Sequence, residues 1–245
     1  AQDRLGEHAV DLERKVAERT AKLRDTIAQL ESFTYTVAHD LRAPIRALMG
    51  YAEVLLTEYQ AALPDEGRGV VERLHRASHR LDALTRDLLK FSRIGREDIR
   101  LAPVDVREVV QEIVALTPAL QNGTLKMQLP LGHVFAQRTL LQQSLANLFD
   151  NALKFVPPGT RPTIIVRGEL RSDGAETAEQ PPGNARWRVW VEDNGIGIPA
   201  HAHRKIFGIF ERLPGPTPIE GTGIGLAIVA RAMEQMRGAC GVESE

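Results

Sequence analysis

Between residues 12 and 37 the chain steps by alternate intervals of four and three through Leu12, Val16, Arg19, Leu23, Thr26, Leu30, Phe33 and Val37. A stripe of that period runs along one side of a helix and is too narrow for a globular core, so it calls for a second helix wound against it. Val16, Leu23, Leu30 and Val37 hold one seam position, whereas Arg19 and Thr26 interrupt the other, which predicts an imperfect, adjustable coiled coil over 1–31. The helical pattern is expected to continue to about residue 60, with a local kink at Pro44, which lacks a backbone donor and crowds the preceding turn. After a turn over 61–65, Asp65 is placed to cap a second helix reaching about residue 94, in which Val70, Leu74, Ala77, Leu81, Leu84, Leu88 and Phe91 share one face. Two helices joined by so short a loop form an antiparallel hairpin. Its uncovered apolar stripe is closed most economically by a second copy, which gives an all-α four-helix bundle and a homodimer.

Past Gly95 the texture becomes an alternation of short strand-like and helix-like pieces. Strands are expected over 99–103, 125–129, 163–169 and 187–192, and helices over 105–116, 138–155 and 224–236, an α/β sandwich. The polar, Gly- and Pro-bearing stretch 171–185 reads as an exposed hairpin loop. The 245 residues thus divide into a coiled-coil linker over 1–31, a helical hairpin domain over 32–97 and an α/β domain over 98–245. No stretch approaches the run of about 18 apolar residues that a membrane span needs, and the N-terminus has no basic-then-apolar leader. Lys and Arg number 31 against 32 for Asp and Glu, a balance that provides no broad footprint for nucleic acid. The single cysteine, Cys240, cannot form an internal disulfide and fits a reducing, cytoplasmic compartment, where it is expected as a small apolar strand residue.

Within this frame four short blocks carry chemistry. The first is His39-Asp-Leu-Arg-Ala-Pro44, inside the long helix. A neutral imidazole has a lone pair for attack on phosphorus, and a carboxylate such as Asp40 holding the proton on one ring nitrogen would leave the other free. The second block is Asn147-Leu-Phe-Asp-Asn-Ala-Leu-Lys-Phe155, where Asn147, Asn151 and Lys154 fall on one helical face beside an apolar face made by Leu145, Leu148, Ala152 and Phe155. The third, Asp193-Asn-Gly-Ile-Gly197, ends a strand. The fourth, Gly221-Thr-Gly-Ile-Gly225, opens an apolar helix and is not a P-loop, because no Gly-Lys-Ser/Thr follows. His75 and His79 have metal-like i, i+4 spacing but no accompanying Glu, and read as solvated helix positions; His201 and His203 read as surface residues.

Taken in order, these blocks resemble the core of a sensor histidine kinase, and the string from Phe33 to Pro44 is similar to the phosphoacceptor box of the phytochrome-like and soluble branch. The resemblance implies that the second domain is an ATP-binding domain of the gyrase, chaperone and histidine kinase superfamily. It implies ATP-dependent autophosphorylation of His39, aided by Asp40, then transfer to an Asp on the receiver domain of a response regulator. Asn151 would ligate Mg²⁺, Asn147 would support the metal and its waters, and Lys154 would contact phosphate. Asp193 would accept a hydrogen bond from the adenine amino group, which favours ATP over GTP, with Gly195 and Gly197 letting the backbone turn beneath the base. Gly221, Gly223 and Gly225 would admit phosphates at a helix N-terminus. The stretch 206–213 is similar to the family's Phe-containing box, and 208–222 is expected as the nucleotide lid.

Two departures stand out. Ala43 occupies a position where many members carry Thr or Asn, so the resemblance supports the kinase and not a strong phosphatase. The chain also stops at Glu245, where members usually continue into a further strand, and it starts within the coil, which points to a sensor domain upstream. Two alternative functions are a nucleotide-binding dimeric switch and a superfamily ATPase without histidine phosphorylation. The latter usually has a water-activating Glu where this chain has Asn147.

Overall fold

A computed structural model describes residues 2–94, 99–121, 124–172, 185–213 and 221–244, and the chain divides into two compact units, 1–95 and 96–245. In the first, α1 (Gln2–Thr57) runs through Pro44 without interruption, a short 3₁₀ turn spans Gln60–Ala62, and α2 (Asp65–Ile94) returns against α1. Asp65 is the first residue of α2 and not its cap, because Pro64 already supplies the preceding carbonyl, which accepts from Arg68 N–H at 2.9 Å. Asp65 and Glu66 therefore act on the helix dipole from its first turn.

The seam between α1 and α2 is built largely from small residues, with Ile45, Val71 and Leu89 as its larger members. Ala38, Ile45 and Ala52 are buried on α1 at seven-residue steps, and Val71, Ser78, Thr85 and Ser92 are buried on α2 at the same steps. Burying hydroxyls costs free energy unless they are hydrogen-bonded. Ser78 donates to Leu74 O at 2.9 Å and Thr85 to Asp82 O at 2.9 Å, so these side chains enter the seam already satisfied. The larger residues Val16, Leu23, Leu30 and Phe33 of the N-terminal seam stay exposed, as do Val70, Leu74 and Leu81 of the apolar face of α2.

The second unit is an α/β sandwich. β1 (Ala102–Asp105) pairs antiparallel with β3 (His133–Ala136), while β2 (Leu125–Gln128) runs parallel to β4 (Ile164–Ser172), which is antiparallel to β5 (Ala185–Asp193). Helices α3 (Val106–Leu116), α4 (Arg138–Lys154) and α5 (Gly225–Gln235) complete it, with α4 packed on both α3 and α5. Ile164 and Val166 of β4 are fully buried, together with Val106, Val109 and Val110 of α3, Phe149 of α4 and Ile228 of α5. Asp105 begins α3 by accepting the Arg107 N–H at 2.8 Å.

The first strand lies three residues later than the 99–103 expected, because Val104 is its buried residue and its register against β3 joins Ala102 to Ala136. β3 itself was not expected: it has only four residues and follows a Pro130–Gly132 stretch that reads as a turn. Gly132 and Gly168 form a floor for the Trp187 ring, and a Cβ on Gly132 would fall 2.3 Å from that ring. The expected loop over 171–185 lies, for residues 173–184, outside the described residues, and both strands extend to its edges. Cys240 is exposed and belongs to no strand, in contrast to the expectation for it. No helix among the described residues is long and apolar enough to cross a membrane.

Candidate functional site

His39 sits on α1 with its side chain largely in solvent, and its Nδ1 lies 3.2 Å from Asp40 Oδ1. The contact between helix neighbours is therefore made, despite their roughly 100° angular separation. With Asp40 accepting from Nδ1–H, the lone pair is left on Nε2. One turn earlier, Tyr35 lies nearly parallel to the imidazole with centroids 6.3 Å apart, and Arg93 of α2 stands 5.8 Å above the Tyr35 ring. That Tyr35–Arg93 connection joins the two helices beside the histidine and had no signature in the sequence.

In the α/β unit the other residues gather around the C-terminal half of α4. Asn147 donates from Nδ2 to Gln143 O at 2.9 Å, which turns its Oδ1 toward α5: a Cβ on Gly225 would lie 3.2 Å from that oxygen. Asn151, one turn on, is half-buried, and among the described residues its side-chain amide makes no hydrogen bond. Lys154 is ion-paired with Asp150, four residues before it. The α4 helix closes with Phe155 N–H donating to Asn151 O at 2.9 Å.

The Asp193 loop is fastened to this helix end. Ile196 N–H donates to Phe155 O at 2.9 Å, and Asp193 Oδ1 accepts the Gly195 N–H at 2.8 Å. Gly195 has no room for a side chain, since a Cβ there would fall 2.6 Å from Asp193 Oδ1 and 2.7 Å from Phe155 O. Gly197 turns the chain at φ +74°, in the left-handed region that glycine tolerates best.

Asn194 proves to be a structural staple that sequence reasoning missed. Its Oδ1 accepts from Thr163 N–H at 2.9 Å and its Nδ2 donates to Arg161 O at 3.0 Å, so one side chain ties the end of β5 to the start of β4. His203 is half-buried and not a plain surface residue: it donates from Nε2 to Ile198 O at 2.9 Å, while Ile198 N–H donates to Ser244 Oγ at 2.8 Å. His201 is exposed, as expected.

The second glycine block meets the Phe-containing segment. Phe210 N–H donates to Gly223 O at 2.9 Å, Phe210 takes φ +64°, and Gly223 takes φ +71° with Glu211 O 3.0 Å from where a Cβ would be. Thr222 Oγ1 accepts the Ile224 N–H at 3.3 Å just before α5 begins at Gly225. Gly221 faces open space. Phe207 is half-buried and Phe210 exposed. Of the expected lid over 208–222, residues 214–220 lie outside the described residues.

The residues at this site suit a magnesium nucleotide by their chemistry. A half-buried amide oxygen, an unsubstituted backbone under a carboxylate and a glycine-initiated helix are what a sparsely ligated Mg²⁺, an adenine and phosphates require. Asn147, Asn151, Lys154, Asp193, Gly195 and Gly225 all lie in this one unit, whereas His39 and Asp40 lie in the other.

Comparison with known proteins finds one family match in the segment that carries His39 and another in the segment that carries Asn147 and Asp193. Residues 29–97 match the family described as His Kinase A (phospho-acceptor) domain, and residues 136–245 match that of Histidine kinase-, DNA gyrase B-, and HSP90-like ATPase. The chain is 31% identical over 94% of its length to the methanogenesis regulatory histidine kinase FilI of Methanothrix harundinacea, of which it covers 25%. It is 28% identical over 94% of its length to the phytochrome-like protein Cph1 of Synechocystis, of which it covers 29%. Among solved structures, full-length ShkA in complex with AMPPNP shares 29% identity and superposes with a TM-score of 0.57, over 87% of this chain and 43% of that one. The chain thus spans about a quarter of the length of these two curated relatives.

Proposed function

Because the chain belongs to the histidine kinase family, we propose that it transfers the γ-phosphoryl group of ATP to Nε2 of His39 and passes it on to an Asp in the receiver domain of a response regulator. The observation that carries this reading is the hydrogen bond from Ile196 N–H to Phe155 O. It holds the Asp193 carboxylate against the helix end that presents Asn151 and Lys154, so base-reading and phosphate-facing groups share one wall.

In the reaction, the Nε2 lone pair of His39 forms the N–P bond while the bond from phosphorus to the β,γ-bridging oxygen breaks, and ADP leaves with that electron pair. The Nδ1 proton stays on the ring, where Asp40 stabilises the positive charge that develops. Asp193 accepts from the adenine amino group, and Gly195 and Gly197 let the base lie against the backbone. Asn151 would offer its amide oxygen to Mg²⁺, Asn147 would support the metal and its waters, and Lys154, ion-paired with Asp150, would turn to phosphate. Gly221, Gly223 and Gly225 admit the phosphate oxygens to the N-terminus of α5. Bound magnesium would neutralise charge on the phosphates. His39 belongs to one unit and the nucleotide residues to the other, so in this reaction one unit supplies the acceptor nitrogen and the other the γ-phosphate.

The exposed apolar faces of α1 and α2 fit a homodimer made by pairing two hairpins. In this scheme 1–31 is a signalling linker, 32–97 the dimerisation and phosphoacceptor domain and 98–245 the catalytic domain, working in the cytoplasm below a sensor. Incubation with γ-labelled ATP and Mg²⁺ tests it. Acid-labile, alkali-stable label should appear on the chain and vanish in both His39→Gln and Asn151→Ala. ATP binding without any label would instead favour a nucleotide switch.

A further inference from the structure

We infer that His75 and His79 on α2 form a bidentate site for a divalent transition-metal ion of the Zn²⁺, Ni²⁺ and Cu²⁺ class, apart from the nucleotide and its magnesium. Their spacing alone is that of solvated helix positions, but the side chains do not diverge. The two Nε2 atoms face each other at 3.1 Å, with the rings crossing at 71° and their centroids 4.4 Å apart. With metal–nitrogen bonds of about 2.0–2.1 Å, nitrogens 3.1 Å apart subtend roughly 100° at a shared ion, between the square-planar and tetrahedral angles. The rings therefore already have the bite a metal needs, and both need only carry their proton on Nδ1.

The setting leaves the pair accessible. His79 is exposed and His75 half-buried. At about 100° per residue, their strip lies roughly 140° around α2 from Val70, Leu74 and Leu81, the face left for a second copy. Glu72 and Asp82 flank the strip three residues away on either side, and are ion-paired with Arg76 at 3.9 Å and Arg86 at 2.8 Å. The remaining coordination positions thus fall to water. Imidazole nitrogens suit Zn²⁺, Ni²⁺ and Cu²⁺, while Mg²⁺ prefers oxygen.

Calorimetric titration of the full untagged chain with ZnCl₂, NiCl₂ or CuSO₄, in buffer containing millimolar MgCl₂ and no nucleotide, tests the site. One ion should bind per chain, tightest for Cu²⁺, and His75→Gln or His79→Gln should each weaken binding at least tenfold while His201→Gln leaves it within twofold. The Cu²⁺ electron paramagnetic resonance spectrum should show two coupled nitrogens, falling to one in either single variant. Zinc affinity that matches between wild type and a His75→Gln/His79→Gln double variant would overturn the site, as would an equal loss in His201→Gln.

Discussion

The two units solve the problem of burial in opposite ways. The α/β unit closes its own core: β4 sinks Ile164 and Val166 completely, and α3, α4 and α5 converge with Val109, Phe149 and Ile228. The helical unit fastens α1 to α2 through small residues such as Ala38, Ala52, Ser78 and Ser92 beside a few larger ones, Ile45, Val71 and Leu89, and leaves many large side chains outside, with Leu30 at 65% and Phe33 at 67% exposure. A seam rich in small residues brings two helices close but buries modest apolar area, so a second copy covering the exposed face, as proposed, would add to the hairpin's stability. A unit whose stability depends on a partner can be adjusted through that partner, whereas a self-sufficient unit holds its nucleotide residues in place regardless. On the proposed function, His39 is accordingly presented on an adjustable element and the nucleotide loops on a fixed one.

The contrast breaks most visibly at the exposed stripe. Leu81→Glu should separate the proposed dimer, since each copy would lose the burial of one leucine at about 1.5–3 kcal/mol, doubled by symmetry. Sedimentation should show at least a hundredfold rise in the dimer dissociation constant, while ATP affinity of the α/β unit stays unchanged. If the dimer survives, the stripe is not its interface.

Gly195→Ala should act in the reverse sense. The added Cβ meets Asp193 Oδ1 and Phe155 O at under 3 Å, a clash of the kind that costs about 1–3 kcal/mol. Nucleotide affinity measured by fluorescence displacement should fall roughly 5- to 150-fold, with the oligomeric state intact.

The smallest effect sharpens the comparison. Asn194→Ala removes two hydrogen bonds between the β5 end and residues 161–163, at about 0.5–1.5 kcal/mol each. Thermal melting should show the α/β unit lowered by several degrees, with the helical transition still dependent on protein concentration. Equal shifts in both transitions would mean that the units do not unfold separately.

Much of this was legible in the sequence, and what was not follows a pattern. Helices α3, α4 and α5 began and ended within one or two residues of expectation, because apolar periodicity is a local signal. The need for a glycine at 195 was also readable, whereas its N–H bond to Asp193 was not. The α1–α2 seam was not, because Ala and Ser do not register as hydrophobic, although Ala38, Ile45 and Ala52 keep a seven-residue step that would have revealed it. β3 was hidden by its length and by the turn-like residues before it. Asn194 and His203 were missed for a different reason. Their partners lie in other segments or on backbone carbonyls, and side chain to backbone bonds leave no spacing to read.

The central claim is that Nε2 of His39 receives the phosphate because Nδ1 is engaged by Asp40. Peptide mapping under alkaline conditions, with nuclear magnetic resonance or isomer-specific antibodies to assign the phosphohistidine, tests it directly after incubation with ATP and Mg²⁺. The account predicts a single modified residue, His39, phosphorylated on Nε2. Phosphate on Nδ1, or on any residue other than His39, would contradict it.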